Sequence, residues 1–423
     1  MSKKAWVVSI DMGYGHQRAA YALKSIACED RIITANNYKG IPQKDKDLWR
    51  QSRSFYEFIS RFKNVPLVGD FVFSVYDNCQ RIVNFYPKRD LSDANIIQKS
   101  IYSLLEKNWG KHLIKKLSKE NIPLVTTFFN VAFMAEHFNY PNEIFCVVCD
   151  TDLSRGWAPL DPRQTRIKYF ASTIRSAERL ELYGIKKENI FLTGFPLPPK
   201  IIGSNEKILK EDLKNRLINL DPKGKYYKKY KALVDDKLGK LPKKSDHPLT
   251  ILYSVGGAGA QSEMGIEIVE VLKERLEKGE VKLILSAGVR PTVRDYFEEQ
   301  VGNVKNVEII YEKNFRTYFE TFNNALRKTD ILWTKPSELS FYAMLGMPIV
   351  IAPEIGSQEK FNKRWIEKCG FGFEQKDPQY INDWLFDWID RGYLAEMAMD
   401  GFMKGERDGL KNIKNIINKC SGS

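Results

Sequence analysis

The stretch GYGHQRAA, residues 13–20, contains the first residues that could do chemistry. It follows an apolar run and precedes a helical pattern, and Gly13 and Gly15 permit positive φ and a close approach of the backbone. Amides at a helix N-terminus suit an anion, and an imidazole there can accept a proton near neutral pH. We predict that His16 faces a ligand as a base, with Arg18 on the same loop. The alternative is a hydrogen-bonded histidine in a tight turn.

A second glycine loop follows the apolar run LTILYSV. It contains Ser254, Gly256, Gly257 and Gly259 and leads into another helical pattern, so its amides can cradle a phosphate. The spacing matches neither GxxxxGK[ST] nor GxGxxG, which argues against P-loop nucleotide hydrolysis and dinucleotide binding. We predict a phosphate-binding loop of a different kind.

Two carboxylates follow the apolar run EIFCVVC, in the segment CDTDLSRGWAP. Alternate positions at a strand end would place Asp150 and Asp152 on one side. We predict that one of them orients His16 or hydrogen-bonds a sugar hydroxyl. A helix cap, or a salt bridge with Arg155 within the loop, is the alternative.

A longer polar region lies in TKPSELSFYAMLGMPIVIAPEIGSQEKFNKRW, residues 334–365. Ser337 follows a proline that suits a helix start, and Glu338 then falls in the first turn, where a carboxylate is favoured. Gln358, Glu359 and Asn362 supply the amide and carboxylate groups needed to hold a polyhydroxylated ligand.

All of these residues follow short, unalternating apolar runs, which are typical of parallel strands buried on both faces. Longer helical patterns lie between the runs, so the fold class is predicted as α/β, with doubly wound parallel sheets. The predicted strands are residues 5–10, 31–36, 123–128, 143–150, 167–172, 189–194, 249–255, 281–288, 307–312, 329–334 and 348–353.

The strand pattern stops and restarts once, which predicts two domains. We place an N-terminal domain at 1–200, a Lys-rich linker or insertion at 201–248, and a C-terminal domain with terminal helices at 249–423. Open α/β sheets bind ligands at the carboxyl ends of their strands, so the predicted loops should line a cleft.

The bulk composition is that of a globular protein whose basic excess suits an anionic partner, with solubility alone as the alternative. The chain has 423 residues, 43% of them hydrophobic, and a net charge of +13, which suits phosphates, nucleic acid or an acidic membrane face. Its six cysteines are scattered, and Cys146 and Cys149 lie in one predicted strand on opposite faces, as buried thiols rather than metal ligands. These features predict a cytoplasmic protein without a signal peptide.

Six ordered segments resemble one family: the GT-B glycosyltransferases of the MurG, monogalactosyldiacylglycerol synthase and diacylglycerol glucosyltransferase group. The segments are GYGHQRAA, CDTDLSRGWAP, IKYFAS with LELYGI and NIFLTGFPL, the loop 254–259, TKPS with GMPIVIAP, and GSQEKFN. The resemblance covers most of the chain and implies a GT-B fold, with two Rossmann-like domains facing across a cleft.

The resemblance also implies inverting transfer of a sugar from a nucleotide sugar, usually uridine-linked. The family's glycine-loop histidine lies beside the acceptor as a candidate base, which here is His16, on an acceptor side that we extend to Gly13, Gly15, Arg18 and Trp157. The loop at 254–259 would approach the diphosphate, and Gln358, Glu359 and Asn362 would touch the donor sugar, with Ser337 and Glu338 nearby. No metal or other cofactor is implied, because loop amides and helix dipoles stabilise the departing diphosphate.

Four positions depart from the family pattern. Phe341 stands where the family has a ribose-binding glutamate, and Ser154 replaces a histidine that follows the N-domain aspartate. Ser337 replaces the glycine of TKPG, and Gly356 replaces a loop proline. The identity of the donor, and turnover itself, are therefore open.

An aromatic and basic stretch from Trp49 to Tyr86 bears on the acceptor. In the family this region often serves a lipid acceptor and the membrane surface, and an amphipathic stretch of this kind fits interfacial docking. Packing of helices on the sheet explains the aromatics equally and is the preferred interpretation. The stretch leaves open a peripheral location at the inner face of the membrane.

We therefore predict a hexosyltransferase-type enzyme with a lipid or cell-envelope acceptor. Two alternatives remain. One is a GT-B nucleotide-sugar epimerase, and the other is a non-catalytic protein that binds an anionic membrane or ligand. The absence of an RNP-type aromatic strand argues against nucleic acid as the partner.

Overall fold

The computed structural model describes residues 4–51, 82–256, 259, 261–354 and 357–420. The chain divides into two compact units. Unit 1 contains Met1–Leu197, Ile355–Asn362 and Arg407–Ser423, and unit 2 contains Pro198–Glu354 and Lys363–Glu406.

Unit 1 is built on a six-stranded parallel sheet, and all six strands predicted for this half are present. Its strands are β1 (Ala5–Ser9), β2 (Ala27–Thr34), β3 (Leu124–Thr126), β4 (Ile144–Val147), β5 (Lys168–Ala171) and β6 (Ile190–Leu192), in the order β2-β1-β3-β4-β5-β6. Alternate strand residues enter two apolar clusters, one on each face, so the strands read as continuous apolar runs. Cys146 and Cys149 are buried, as predicted.

Helices cover both faces of this sheet. They are α1 (Tyr14–Ala22), α2 (Ile96–Glu106), α3 (Lys111–Leu117), α4 (Phe129–His137) and α5 (Ile174–Leu182), and residues 43–51 are also helical. The start of α5 is fixed by a capping box between Thr173 and Ser176. Because the strands are parallel, the loops after β1, β3, β4 and β5 all leave the same edge of the sheet.

Unit 2 contains a second six-stranded parallel sheet. Its strands are β7 (Leu249–Ser254), β8 (Val281–Gly288), β9 (Val307–Tyr311), β10 (Ile331–Thr334), β11 (Ile349–Ile351) and β12 (Gly372–Glu374), in the order β12-β11-β10-β7-β8-β9. Five were predicted. The sixth, β12, was missed because it has only three residues and begins with glycine.

The helices of unit 2 include two in the segment predicted as a linker. The helices are α6 (Lys207–Leu220), α7 (Lys225–Leu238), α8 (Ser262–Lys278), α9 (Pro291–Val301), α10 (Phe315–Leu326), the second half of α11 (Ser357–Cys369), α12 (Ile381–Asp390) and α13 (Tyr393–Lys404). On α6, the buried guanidinium of Arg216 donates to the carbonyls of Thr329 (2.8 Å) and Leu345 (2.9 Å). Residues 207–238 are therefore a packed part of unit 2, as the alternative of an insertion allows and a linker does not.

Two segments near the C-terminus fall in unit 1 rather than with unit 2. The last helix, α14 (Gly409–Cys420), packs Ile413 and Ile417 into the apolar cluster beneath β1 and β4. The amide of Asn412 donates to the carbonyl of Thr193 at 3.0 Å. Residues 355–362, including the first half of α11, also belong to unit 1. The predicted boundary at 249–423 missed both segments.

Short 3-10 turns complete the described secondary structure. They lie at Lys24–Ile26, Arg155–Trp157, Lys187–Asn189, Pro199–Ile201, Ser204–Glu206, Glu338–Leu345 and Pro378–Tyr380.

Candidate functional site

The first glycine loop leads from β1 directly into α1. Gly13 is the N-cap of that helix and has a φ of +97°, a conformation that side chains other than glycine rarely adopt. Gly15 does not use the positive φ that glycine permits, because α1 begins one residue earlier, at Tyr14, and includes it. His16 is therefore in the first turn of α1, half-buried, while Arg18 is almost completely buried.

The imidazole of His16 is held by the neighbouring strand. Its Nδ1 lies 2.5 Å from the carbonyl oxygen of Thr127, just after β3, and the Thr127 hydroxyl donates to the carbonyl of His16 at 3.0 Å. A carbonyl can only accept, so Nδ1 carries the proton and Nε2 of the neutral ring is an acceptor. This is the tautomer that a general base needs.

Aromatic side chains surround this histidine. The rings of Phe128 and Trp157 lie 5.0 Å and 6.2 Å from the imidazole, so the structure brings the predicted residues His16 and Trp157 together. Arg155 fixes the loop that carries Trp157 by donating to the carbonyls of Ala158 (2.7 Å) and Pro159 (3.0 Å). Arg155 also donates to the carbonyl of Ser92 at 2.7 Å. These contacts are all with backbone carbonyls and do not support the alternative of a salt bridge within the loop.

The two predicted carboxylates have different environments. Both oxygens of Asp152 accept from the buried Arg179, Nε at 2.8 Å and Nη2 at 2.9 Å. Burial lowers the pKa of Arg179, but the hydrogen bond and charge of Asp152 outweigh this effect and raise it above its ordinary value. Because β4 ends at Val147, the two carboxylates do not alternate along a strand as expected, and Asp152 is buried while Asp150 is half-exposed. Asp150 is therefore the better candidate for assisting His16, a role that stays a prediction.

Of the three predicted sugar-contacting side chains in 358–362, one is buried. Asn362 is 1% exposed and hydrogen-bonds Asp150 and Thr151, which argues against the expected contact with a sugar. Gln358 and Glu359 in the first turn of α11 are half-exposed, and their role at a donor stays a prediction.

Sequence reasoning missed Asn130, in the first turn of α4. Its Oδ1 is buried and has no hydrogen-bond partner in the part of the chain that the structure describes. A buried acceptor without a partner is costly, and Asn130 lies three residues after Thr127, which holds His16. No sequence motif distinguishes this asparagine from one that is fully satisfied.

The predicted phosphate loop of unit 2 follows β7. Its turn is closed by the amide of Gly259, which donates to the carbonyl of Gly256 at 2.8 Å, and Gly259 has a φ of +72°. Ser254 is buried at the end of β7, and Gly257 lies outside the described residues. The loop leads into the 17-residue helix α8, whose N-cap residue Gln261 makes no side-chain capping bond.

Two cations that sequence reasoning missed flank this loop. A Cβ on Gly256 would lie 2.5 Å from Cε and 3.3 Å from Nζ of Lys335, and a Cβ on Gly259 would lie 3.6 Å from Cδ of Arg290. Lys335 follows β10 and Arg290 follows β8, the two strands on either side of β7. Two cations beside a helix N-terminus form an environment suited to an anion. Lys335 directly follows a predicted strand and Arg290 lies two residues after the terminal glycine of another, but only the strand order brings both to this loop.

Comparison with known proteins finds two relatives at low sequence identity. The chain is 20% identical over 351 residues to the processive diacylglycerol beta-glucosyltransferase of Bacillus subtilis (strain 168), covering 80% of this chain and 81% of that protein. It is 24% identical over 178 residues to the UDP-N-acetylglucosamine–N-acetylmuramyl-(pentapeptide) pyrophosphoryl-undecaprenol N-acetylglucosamine transferase of Clostridioides difficile (strain 630). That match spans 40% of this chain and less than half, 42%, of the relative.

Two solved structures are similar to this chain along nearly its whole length. S. aureus MnaA in a co-structure with UDP superposes with a TM-score of 0.51 at 14% identity, covering 99% of this chain and 96% of that chain. The chain has the GT-B fold, with its two six-stranded parallel sheets. A Listeria monocytogenes protein assigned as a UDP-N-acetylglucosamine 2-epimerase also has a TM-score of 0.51 and 14% identity, covering 97% of this chain and 94% of that chain. A domain of unknown function, DUF6938, matches residues 236–314.

The clearest departure from the glycosyltransferase pattern lies at the position expected to bind the ribose. Phe341 is fully buried and packs on Trp365 with ring centroids 5.3 Å apart, so it belongs to the core of unit 2. Glu338 is mostly buried in the first turn of the 3-10 segment Glu338–Leu345, and Ser337 is its N-cap. The helix expected here is thus a 3-10 segment, and ribose binding by Glu338 stays a prediction.

The predicted aromatic and basic stretch falls largely on 52–81, outside the described residues. At its start, Trp49 is buried against Trp109, with centroids 4.6 Å apart, as the packing interpretation expects. At its end, Tyr86 is 68% exposed. Within the described ranges, no helix combines the length and apolar character needed to cross a membrane.

Proposed function

We propose that this GT-B protein transfers a sugar from a nucleotide sugar to an acceptor hydroxyl with inversion, using His16 as the base. The observation that carries the proposal is the 2.5 Å contact between Nδ1 of His16 and the carbonyl of Thr127. It fixes the proton on Nδ1 and leaves Nε2 as a proton acceptor. The histidine also stands in the first turn of a helix at the carboxyl edge of a parallel sheet, where such sheets bind ligands.

The proposal assigns the diphosphate of the donor to unit 2. Lys335 and Arg290 flank the loop from Gly256 to Gly259, and the amides of α8 follow it. As the glycosidic bond breaks, negative charge grows on the diphosphate, and fixed cations and amides stabilise that charge more than they stabilise the bound substrate. Metal is not needed in this scheme, and an unchanged rate in EDTA is the expected result.

The chemical step is a single displacement. Nε2 of His16 takes the proton of the acceptor hydroxyl while the hydroxyl oxygen bonds to C1 of the sugar. The bond between C1 and the diphosphate oxygen breaks, and its electron pair leaves on the diphosphate. Asp150 is proposed to support the imidazolium or to hold a sugar hydroxyl.

The choice of substrates is supported by the relatives. Uridine is proposed because S. aureus MnaA is seen with UDP, and a lipid or cell-envelope acceptor because the two curated relatives act on diacylglycerol and on pyrophosphoryl-undecaprenol by their names. A lipid acceptor agrees with the proposed location at the cytoplasmic face of a membrane.

A nucleotide-sugar epimerase is the second candidate. It is favoured by the Listeria monocytogenes structure, which shares the fold along nearly the whole chain. Epimerisation also needs a base beside the sugar, so His16 alone does not separate the two reactions. The acceptor does, because an epimerase changes the nucleotide sugar in its absence.

The test combines binding with product analysis. Thermal shift with UDP, UDP-glucose and UDP-N-acetylglucosamine should raise the apparent stability, since each would bind only the folded state. The protein is then incubated with diacylglycerol micelles and with UDP-glucose or UDP-N-acetylglucosamine as the donor. Mass spectrometry should show glycosylated lipid and free UDP. An epimerised sugar formed without lipid would support the second candidate. No thermal shift and no product would favour the non-catalytic alternative.

A further inference from the structure

The side chain of Asn362 joins two predicted site segments of unit 1. Its Oδ1 accepts from the backbone amide of Thr151 at 3.0 Å and from the Thr151 hydroxyl at 2.7 Å, and its Nδ2 donates to Oδ1 of Asp150 at 3.2 Å. With a side chain 1% exposed, Asn362 is a buried amide with both ends engaged.

These partners determine which end of the amide is which. A backbone N–H can only donate, so the atom facing Thr151 is the oxygen. A carboxylate at neutral pH can only accept, so the atom facing Asp150 is the nitrogen. Reversing the amide would oppose like groups at both ends, and the orientation is therefore forced by chemistry.

The backbone on either side of this contact is already fixed. The hydroxyl of Ser172 donates to the carbonyl of Asp150 at 2.5 Å, and the hydroxyl of Thr173 donates to the carbonyl of Thr151 at 2.7 Å. What Asn362 adds is a donor to the carboxylate itself. Asp152 cannot substitute for Asp150 without losing Arg179, because both of its oxygens are bonded to that guanidinium.

We propose that Asn362 is a positioning residue: it orients the carboxylate of Asp150 and anchors to unit 1 the turn that carries Gln358 and Glu359. The proposal rests on the proposed transferase function, because Asp150 is taken as a member of that site. It replaces a direct contact between Asn362 and the donor sugar.

The decisive variant is Asn362→Asp. It has nearly the same shape and keeps an oxygen towards Thr151, but it places a second carboxylate 3.2 Å from Asp150. Two carboxylates at that distance share a proton at low pH and repel each other when both are ionised. The ratio of variant kcat to wild-type kcat should therefore be low at pH 8, by about 10²-fold for a misplaced group, and should rise towards pH 5.5. The donor KM should change less than threefold, an order-of-magnitude expectation for a residue that does not touch the donor.

Two further variants control this result. Asn412→Asp makes the same change elsewhere in unit 1, where Nδ2 donates to the carbonyl of Thr193 at 3.0 Å, and its kcat ratio should not vary with pH in the same way. Asp150→Asn combined with Asn362→Asp restores one donor and one acceptor across the contact. The double variant should regain the melting temperature that Asn362→Asp loses at pH 8.

Two results would overturn the proposal. One is a pH-independent kcat ratio for Asn362→Asp, and the other is a tenfold rise in donor KM with unchanged kcat, which would put Asn362 on the donor. If the wild type turns over no donor, the proposed function fails, and the melting temperatures then decide. The proposal is supported if the melting temperature that Asn362→Asp loses is smaller at pH 5.5 than at pH 8 and is regained in the double variant. A loss of melting temperature that does not change with pH rejects Asn362 as the residue that positions Asp150.

Discussion

Nδ1 of His16 lies 2.5 Å from the carbonyl oxygen of Thr127, so the loop after one strand sets the tautomer of a histidine on the helix after another. A substitution of His16 can keep the hydrogen bond to Thr127 and still remove the basic nitrogen Nε2. In His16→Asn the amide Nδ2 can take the place of Nδ1 and donate to Thr127, but no group replaces Nε2.

We expect His16→Asn to fold normally, to bind UDP like the wild type and to lose turnover by about 10²- to 10⁴-fold, the usual contribution of a general base. Steady-state kinetics and calorimetry with UDP measure the two properties separately. The matched control is His112→Asn in α3, an exposed histidine that hydrogen-bonds Tyr38 at 2.8 Å. Turnover of His16→Asn equal to that of the control would remove the base assignment.

Lys335→Ala and Arg290→Ala should each weaken UDP binding. Hydrogen bonds to charged groups contribute about 1.5–3 kcal/mol, which is about 10- to 150-fold in Kd. Lys278→Ala is the control, because Lys278 lies in the last turn of α8, pairs with Glu274 on the surface and is at the opposite end of the same helix. Calorimetry at two salt concentrations is the measurement. Variants of Lys335 and Arg290 that bind UDP as tightly as the control would exclude the flanking cations from the site.

The fold was predictable because its signal is local. Parallel strands buried on both faces give continuous apolar runs, and eleven such runs were found as strands within a few residues of the predicted ends. The segment 201–248 was interpreted as a linker or insertion because lysines dominate it, although the buried leucines of α6 follow a helical spacing. The same buried face includes the cation Arg216. The burial of Arg216 is explained by the hydrogen bonds that it donates to the carbonyls of Thr329, after α10, and Leu345, before β11, and the sequence does not reveal these partners.

The candidate site was predictable in its loops and not in its contacts. Gly13 and His16 could be recognised from their order along the chain. Lys335 and Arg290 could not be assigned to the same loop, because they meet it only through the strand order β10-β7-β8. Asn362 was recognised as a polar site residue, but its partner Asp150 is more than two hundred positions away along the chain.

The pair Asp152 and Arg179 should contribute to stability rather than to chemistry. Removing one partner of a buried ion pair leaves an uncompensated charge and costs about 3–5 kcal/mol. Asp152→Ala should therefore lower the free energy of unfolding by about that amount, measured by urea denaturation. Asp90→Ala is the control in the same unit, because Asp90 and Arg163 are both well exposed and such pairs contribute little. Similar losses in the two variants would contradict the structural role of Asp152.

His247 should make the stability of unit 2 fall as the pH rises. Its Nδ1 lies 2.5 Å from Asp246 and its Nε2 lies 3.2 Å from the buried Asp330. Burial lowers the pKa of His247, but the hydrogen bonds and charges of Asp330 and Asp246 outweigh this and raise it above its ordinary value of 6.5. The folded state then holds a proton that the unfolded state releases, so the stabilisation is complete below about pH 6.5 and is lost as the pH rises through the folded pKa.

His247→Gln tests this expectation, because its amide can still donate to Asp330 and does not titrate. The free energy of unfolding, measured by urea denaturation from pH 6 to pH 8.5, should fall with pH in the wild type and stay nearly level in His247→Gln. Asp246→Asn removes one of the two carboxylates that raise the pKa of His247 and should give an intermediate slope. A wild-type slope that survives unchanged in His247→Gln would show that another group carries the pH dependence.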